Sequence, residues 1–386
     1  MRRSTIVALA GISAMGSMAT HMIVPALPRI SDDLGIGIGT AQNVIAVYLI
    51  GLAVGQLIAG PIVDRVGRRP VLLAGLVLFV VAGFACTFAP GAALLLTARF
   101  AQGVGAAAGI VTSRVMTGDL FDKAEGGRRQ ANLMSVVMLS PAIAPVVGGM
   151  LADTAGWRPI FALVAAAGAA ALVVVWLTVA ESMPATMHRH RATHLFHRHA
   201  RLVRNPRFLR TVAAIAGGST ALYMFLSVAP FLLIDNWGLS ERQAGFCLLA
   251  VASGGILGTL LVGWIERRSD ALRAGLSCSV LGAGLAVALA LYAQGGGSWA
   301  MLIGPMILVA LGAGIAGPSG IAAIIHIEEG VAGTAVSLSG SIQMAASSAG
   351  AIALGHVAHP GFPILSAALL AVSLLSLAIA PRKPFE

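Results

Sequence analysis

Long apolar runs separated by short polar segments form the hydropathy pattern of this 386-residue chain. A run of about 18 or more apolar residues with few charges can cross the hydrocarbon core of a bilayer as an α-helix. The pattern therefore predicts an all-α integral membrane protein, since the strands of a membrane barrel would be short and alternating. The twelve predicted spans are 5–27, 41–62, 71–89, 92–116, 131–152, 158–180, 209–234, 243–265, 272–293, 299–322, 331–356 and 361–380.

The composition excludes a water-soluble protein. Hydrophobic residues make up 58% of the chain and charged residues 10%, whereas soluble domains carry about 25% charged residues. Arg2 and Arg3 before an apolar run resemble the start of a secretory signal. The run continues past Ala19 to Leu27, which is too long for a signal core, so we expect a permanent first helix.

The basic residues predict the orientation in the membrane. With the N-terminus inside, 20 of the 25 Lys and Arg residues fall in cytoplasmic segments and three on the opposite side. Cytoplasmic loops concentrate Lys and Arg, so both termini are predicted to be cytoplasmic, in a plasma membrane (the inner membrane of a bacterium). Membrane topology thus accounts for the net charge of +10, and no nucleic-acid partner is needed to explain it. The predicted partners are the lipid bilayer, protons and a small-molecule substrate.

One long polar stretch divides the predicted spans into two sets of six. It predicts an N-terminal six-helix bundle (1–180), a cytoplasmic linker (181–208) and a C-terminal six-helix bundle (209–386). Two histidines in the linker have the i, i+4 spacing of a helical metal site. Because arginines interrupt the histidines and no Cys or carboxylate joins them, a solvated basic linker is the preferred interpretation and no metal is expected. The linker histidines are His188, His190, His194, His197 and His199.

The segment GPIVDRVGRRP (60–70) joins the second and third predicted spans. Its glycines permit a tight loop, and its charges can form strong hydrogen bonds across a gate at the cytoplasmic side. Asp119, at the inner end of the fourth span, is a plausible partner for Arg68. The predicted inner gate consists of Gly60, Asp64, Arg65, Gly67, Arg68, Arg69 and Asp119.

This Gly-x3-Asp-Arg-x-Gly-Arg-Arg spacing resembles the signature loop of the major facilitator superfamily. Arg99-x2-Gln102-Gly103-x-Gly105 resembles the intramembrane arginine motif of that superfamily. Ser140-x3-Ala144-Pro145-x2-Gly148-Gly149 resembles its antiporter motif, with Ala144 where a glycine is usual. Residues 21–30 and 113–121 are similar to the Bcr/CflA and chloramphenicol-efflux branch. The resemblance implies two six-helix bundles and a monomeric, cofactor-free exporter of small amphiphilic organic molecules, including drugs, that works by proton antiport.

The chain departs from that branch at the position just before the Met-x2-Pro turn, where His21 replaces an acidic residue. With no acidic residue deep in a predicted span, His21 and Arg99 are the ionisable candidates in the membrane interior, and Arg114 lies nearer the inner end. Arg99 is interpreted either as a fixed charge in the central cavity or as a hydrogen-bonding link between helices. An imidazole titrates near pH 6.5, so His21 is interpreted as the proton-coupling site, or else as a substrate partner or a satisfied polar group.

Pro145, Gly148 and Gly149 predict a bend and close packing of the fifth helix. The expected partner is the eighth helix, where Gly254, Gly255 and Gly258 form a smooth surface. The alternative is that the proline and glycines of the fifth helix have a purely structural role. Further residues expected to line the cavity are Met22, Tyr48, Gln56, Tyr223, Phe225 and Phe231.

The sequence also bears on the energy source. Lys123 and Lys383 are the only lysines, and neither lies in a Gly-x4-Gly-Lys-Ser/Thr nucleotide loop, so transport is expected to use a gradient and alternating access of two halves. The alternative is an exporter or facilitator of a native metabolite without strict proton coupling. An intramembrane enzyme or sensor is disfavoured, because no convergent nucleophile and base appear in the spans.

Overall fold

The structure is a computed structural model that describes residues 3–120, 123–182, 195–293, 297–325, 327, 332–357 and 361–382. Within these ranges the chain forms fourteen α-helices and no β-strand. The first seven helices are α1 (Arg3–His21), α2 (Leu27–Leu34), α3 (Ile38–Val66), α4 (Arg68–Thr87), α5 (Ala92–Leu120), α6 (Lys123–Ala155) and α7 (Arg158–Thr178). The others are α8 (Leu195–Arg204), α9 (Pro206–Phe231), α10 (Glu241–Glu266), α11 (Ala271–Tyr292), α12 (Ala300–Ile325), α13 (Ala332–Gly355) and α14 (Phe362–Ile379).

Ten segments of the described chain are long and apolar enough to cross a membrane. The remaining two predicted spans coincide with α6, whose apolar part is Leu139–Ala155, and with α13. These two stay predictions as membrane spans. The first span is longer than expected, because a 3-10 turn at Val24–Ala26 carries it from α1 into α2. Pro25 and Pro28 lack the N–H donors that a continuous α-helix would need there.

The helices pack as two groups. In the first group α5 packs against α3 and α4, α4 packs against α7, and α1 contacts α5, α6 and α7. In the second group α12 contacts α9, α10 and α11, while α14 packs between α9 and α11. Glycines allow the closest of these contacts, since Gly51 and Gly103 bring the backbones of α3 and α5 together.

The first seam between the groups joins α3 to α13. Gly39 of α3 lies directly against the backbone of Gly355 in α13. Serines of α13 hydrogen-bond to backbone carbonyls of α3 along the rest of the seam. These bonds run from Ser337 Oγ to Gln56 O at 3.1 Å, from Ser341 Oγ to Ala53 O at 2.7 Å and from Ser348 Oγ to Ala46 O at 2.8 Å.

The second seam joins α6 to the first turns of α10. Gly245 packs on the carbonyl of Pro145, and Gly149 packs on the backbone of Glu241. α6 thus packs on α10, the eighth predicted span, as expected, but on its first turns rather than on the expected glycines. Instead of facing α6, the glycines of mid-α10 pack against α12, with Gly254 on Ile307, Gly255 on Gly314 and Gly258 on Leu311. A glycine stripe predicts that some backbone approaches closely, but many helices can supply that backbone.

The two ends of the molecule carry different polar groups. We call the end formed by Asp64, Arg68 and Asp119 the Arg68 end. The opposite end, where Trp157 Nε1 donates to Asp33 at 3.0 Å, is called the Asp33 end. Both the Pro145–Gly245 and the Gly149–Glu241 contacts lie toward the Asp33 end, because α10 starts there at Glu241, whose carboxylate is 3.7 Å from Arg29.

Candidate functional site

A cavity of about 400 Å³ lies between the two groups of helices. It is lined by residues of α1, α6, α9, α10, α12 and α13, most of which are apolar or glycine. Among the described residues of the lining there is no Asp, Glu, Lys or Arg. The polar side chains of the lining are Ser17, His21, Ser219, Tyr223 and Thr259.

The position of the cavity along the helices is set by the second seam. Pro145, which packs on Gly245 in the seam, also lines the cavity. From there the lining continues along α10 from Leu248 to Thr259, and along α12 as far as Pro318. The cavity therefore lies on the Arg68-end side of the contacts between α6 and α10.

His21 is the last residue of α1 and is part of the cavity lining. Its Nδ1 is 2.8 Å from the carbonyl oxygen of Ser17, one turn earlier in the helix. A carbonyl oxygen can only accept, so the neutral imidazole carries its proton on Nδ1 and keeps the lone pair on Nε2. Nε2 makes no hydrogen bond to any residue that the structure describes. The Tyr223 ring lies 6.1 Å from the imidazole, centroid to centroid.

Arg99 lies in a site that is filled by protein. Its side chain is fully buried, and it donates from Nε to Val44 O at 3.1 Å and from NH1 to Ala19 O at 3.3 Å. NH1 also donates to Gln102 Oε1 at 2.7 Å, and the guanidinium carbon lies 4.1 Å from the centre of the Tyr48 ring. The arginine thereby ties α1 and α3 to α5, and no residue of α5 is in the described lining of the cavity. This placement matches the helix-linking interpretation rather than a charge in the cavity.

The other residues expected in the cavity divide into two sets. Tyr223 and Phe225 of α9 are part of the lining. The described lining does not include Met22, Tyr48, Gln56 or Phe231, each of which is buried against other helices. Tyr48 turns its hydroxyl to the carbonyl of Gly16 at 2.8 Å, and Gln56 lies in the α3–α13 seam. α9 lines the cavity as expected, although Phe231 does not, whereas no residue of α3, the helix of Tyr48 and Gln56, is in the described lining.

The connection between α3 and α4 is a single residue, Gly67, with a φ of 109°. We expected a loop over residues 60–70, but α3 continues to Val66 and α4 begins at Arg68. The φ of Gly67 is one that side-chain-bearing residues rarely adopt. The chain reverses here without a longer loop because glycine can take this conformation.

Arg68 is buried beside two carboxylates at this turn. Its Nε donates to Asp119 at 2.8 Å, and its NH1 is 3.6 Å from Asp64. The Arg68–Asp119 pair is the one expected from the sequence. Arg65 is exposed, and a Cβ placed on Gly60 would meet no atom of another described element within 4 Å. The part that these groups play as an inner gate stays a prediction.

Residues 8–353 match the Major Facilitator Superfamily. The chain belongs to this superfamily. It is 29% identical over 333 residues to multidrug resistance protein D of Escherichia coli strain K12, covering 86% of this chain and 83% of that protein. It is also 29% identical over 321 residues to the chloramphenicol resistance protein of Pseudomonas aeruginosa, covering 80% and 73% of the two chains. The expected resemblance to the drug-resistance branch is confirmed.

Solved structures support the fold of this superfamily member. The crystal structure of a D-xylose–proton symporter superposes with a TM-score of 0.77 and covers 98% of both chains at 17% identity. A peptide transporter in complex with sulfate gives the same TM-score and identity, covering 98% of this chain and 94% of the other. The superfamily match and the drug-resistance relatives, together with the apolar helices, identify a multi-pass membrane transporter and not an enzyme.

Two contacts of this superfamily transporter were missed by sequence reasoning. Both Glu181 oxygens accept backbone N–H groups at the start of α4, from Arg68 and from Arg69, each at 3.0 Å. A carboxylate stabilises a helix N-terminus because it complements the helix dipole. The second contact is the pair of Arg29 and Glu241, 3.7 Å apart, which bridges the two groups at the Asp33 end. Neither pair has a local sequence pattern, since its members are more than a hundred positions apart.

The basic linker is described only in part. His188, His190 and His194 lie outside the described residues, as do the side chains of His197 and His199. The ten residues Leu195–Arg204 form the short helix α8, which Asn205 separates from α9. Leu202 of α8 is buried in an apolar cluster with Phe208 and Ile324, which fixes α8 to the second group of helices.

Proposed function

We propose that this protein exports small amphiphilic organic molecules across the plasma membrane (the inner membrane of a bacterium) by proton antiport with alternating access. The observation that carries the proposal is the largely apolar cavity of about 400 Å³ between the two helix groups, with one imidazole in its lining. Pockets for small organic molecules have volumes of about 300–1,000 Å³ and few polar groups. Relatives whose names state multidrug and chloramphenicol resistance support the same substrate range.

The proposed topology follows the distribution of basic residues. Residues 1–180 and 209–386 form the two six-helix halves, and residues 181–208 form a cytoplasmic linker. Both termini and the Arg68 end face the cytoplasm. With this orientation the cavity lies on the cytoplasmic side of the α6–α10 seam, so the described conformation corresponds to a state closed toward the outside.

The proposed coupling uses His21. In the outward-facing state the imidazole takes a proton from the more acidic outside, and in the inward-facing state it loses the proton and the cavity accepts substrate. Each half-cycle requires the two groups to rock about the cavity. Opening toward the outside separates α3 from α13 and α6 from α10. The cytoplasmic side of the cavity closes at the same time, and the Arg68–Asp119 turn lies on that side.

Alanine at both Ser341 and Ser348 is expected to favour outward opening. Each serine donates a hydrogen bond from α13 to α3, and each such bond contributes roughly 0.5–1.5 kcal/mol. If the open state lacks these two hydrogen bonds, losing both lowers the ratio of closed to open molecules by roughly five- to 150-fold. Spin labels at Gly37 and Val357, at the Asp33 ends of α3 and α13, measure this as a larger population of long distances.

Ser366 supplies the matched control, because its hydroxyl donates within its own helix to Pro363 O at 2.9 Å. Ser366→Ala is expected to leave the distance distribution unchanged. Equal distributions for the wild type and the double serine variant would contradict a role of the α3–α13 seam in alternating access.

Everted membrane vesicles test the proposed antiport. When the vesicle lumen is acidified by respiration, adding substrate outside is expected to release protons from the lumen and to load substrate into it. Substrate uptake that is unaffected when an uncoupler collapses the proton gradient would favour the alternative, an exporter or facilitator of a metabolite without strict coupling. That alternative is motivated by the absence of a carboxylate from the described lining of the cavity.

A further inference from the structure

We infer that the cavity selects uncharged amphiphiles that carry a hydroxyl or amide N–H donor, and that this donor binds the Nε2 lone pair of His21, for which the proton competes. The inference rests on the proposed function and deepens it by naming the substrate class. It is carried by the tautomer of His21, by the lack of charge in the described lining and by the hydrogen bonds that the Ser219 and Thr259 hydroxyls already make.

The charge balance of the lining disfavours ionic substrates. An organic cation would meet no carboxylate, and an organic anion no Lys or Arg, among the described lining residues. Transfer of an unpaired charge out of water is strongly unfavourable. Arg99 is fully buried and faces the carbonyls of Ala19 and Val44 rather than the cavity. An uncharged molecule avoids this penalty.

The polar groups of the lining mostly offer acceptors. The Ser219 hydroxyl donates to Gln343 Oε1 at 3.0 Å, and the Thr259 hydroxyl lies 3.0 Å from Gly314 O and 3.1 Å from Gly255 O. Nδ1 of His21 is likewise engaged with Ser17 O at 2.8 Å. Free lone pairs therefore remain on Nε2 and on these two hydroxyl oxygens, while the hydroxyls of Ser17, 3.3 Å from Nδ1, and Tyr223 can also donate. A ligand hydroxyl or amide, which has both a donor and an acceptor, is the group that such a surface satisfies.

The proton and the ligand donor require the same atom. Once Nε2 is protonated it can only donate, so the affinity for a donor-bearing substrate falls as the pH falls through the titration of His21. By linkage, substrate binding expels the proton. Tyr223 of α9 is the other titratable group in the described lining. Tyr48 of α3 and Arg99 of α5 contact the far side of α1, at Gly16 and Ala19.

The test measures affinity with the purified full chain in lipid nanodiscs at about pH 8. The probes are chloramphenicol, which is uncharged and has hydroxyl and amide donors, tetraphenylphosphonium, a permanent cation, and naphthalene-2-sulfonate, a permanent anion. We expect chloramphenicol to bind at least about tenfold more tightly than either ion, the ratio that corresponds to about 1.4 kcal/mol. Its affinity should fall severalfold between pH 8 and pH 5, because the proton competes with the ligand donor for Nε2.

His21→Asp is expected to invert the preference, so that the cation binds more tightly than chloramphenicol. His21→Leu removes the acceptor without adding charge, and it should weaken chloramphenicol binding and abolish its pH dependence. The matched control is His356→Asp. His356 makes the same bond, from Nδ1 to the carbonyl of Ile352 at 2.8 Å, but it is exposed at the end of α13 and should leave all affinities unchanged.

Several outcomes would overturn the inference. One is a cation or anion that binds the wild type as tightly as chloramphenicol, and another is a His21→Leu protein with unaltered affinity and pH dependence. Binding of none of the three probes would also overturn it. A different result would overturn the proposed antiport alone: the protein would prefer the uncharged probe, but adding substrate to everted vesicles would release no protons.

Discussion

Arg99→Ala is expected to leave little folded protein in the membrane. The substitution removes three hydrogen bonds, leaves two backbone carbonyls of α1 and α3 without their donor, and empties a space beside Tyr48. A buried polar partner left unsatisfied costs about 1–3 kcal/mol, and the cavity left by a large-to-small substitution costs about 2–5 kcal/mol. That is a large part of the stability of a typical fold, about 5–15 kcal/mol.

Thermal unfolding in detergent measures this effect, together with the amount of protein in the membrane. Arg65→Ala, at an exposed position in the last turn of α3, is the control and should change stability by less than about 0.5 kcal/mol. Arg99→Lys should lie between the two, because an ammonium group cannot reach all three acceptors in the planar geometry of a guanidinium. An alanine variant that unfolds at the wild-type temperature but loses binding of anionic substrates would contradict the helix-linking role.

Gly148→Ala is expected to separate α6 from the end of α1. A Cβ atom at Gly148 would overlap the carbonyl oxygen of Met22, which is backbone and cannot rotate away. Forcing extra atoms into a packed interface costs about 1–3 kcal/mol or more. Because Met22 follows His21, the shift would also displace the imidazole, and we expect at least a tenfold loss of transport, the change that corresponds to about 1.4 kcal/mol.

Gly284 of α11 provides the matched control, because a Cβ built there would meet no atom of another helix within 4 Å in the described part of the chain. Gly284→Ala should be neutral or stabilising by up to about 1 kcal/mol, the gain expected in a helix interior. Unfolding temperature and transport rate are compared for both alanine variants. If Gly148→Ala matched Gly284→Ala in both measurements, the close approach of α6 to the α1–α2 turn would be contradicted.

The features predicted best from the sequence are those set by local pattern. Apolar runs located the long helices, because a backbone in lipid must form its hydrogen bonds within its own segment, and an α-helix does so. The Arg68–Asp119 pair was also expected, since its members lie at neighbouring ends of adjacent spans. The helix boundaries beside this pair differ from the predicted ones, because Gly67 alone forms the turn for which a loop of eleven residues, 60–70, was expected.

The features that could not be predicted depend on how helices rotate against one another. Arg99 is intramembrane as expected, but the sequence does not state which side of α5 faces α3 and which faces the cavity. The same applies to Gly254 and Gly258, which pack on α12 instead of α6. Glu181, just beyond the last residue of α7, stabilises the start of α4. No spacing rule connects residues so distant in the chain.

The central claim is that proton and substrate exclude each other at His21, and it is tested most directly by counting protons released on substrate binding. Chloramphenicol is added at saturating concentration to protein in weakly buffered nanodiscs, over a range of about pH 5 to 8. The account predicts that up to about one proton is released per bound molecule toward the acidic end of this range, both for the wild type and for His356→Ala. His21→Ala should release none. Equal release from His21→Ala and the wild type, or no release from the wild type at any pH, would contradict the account.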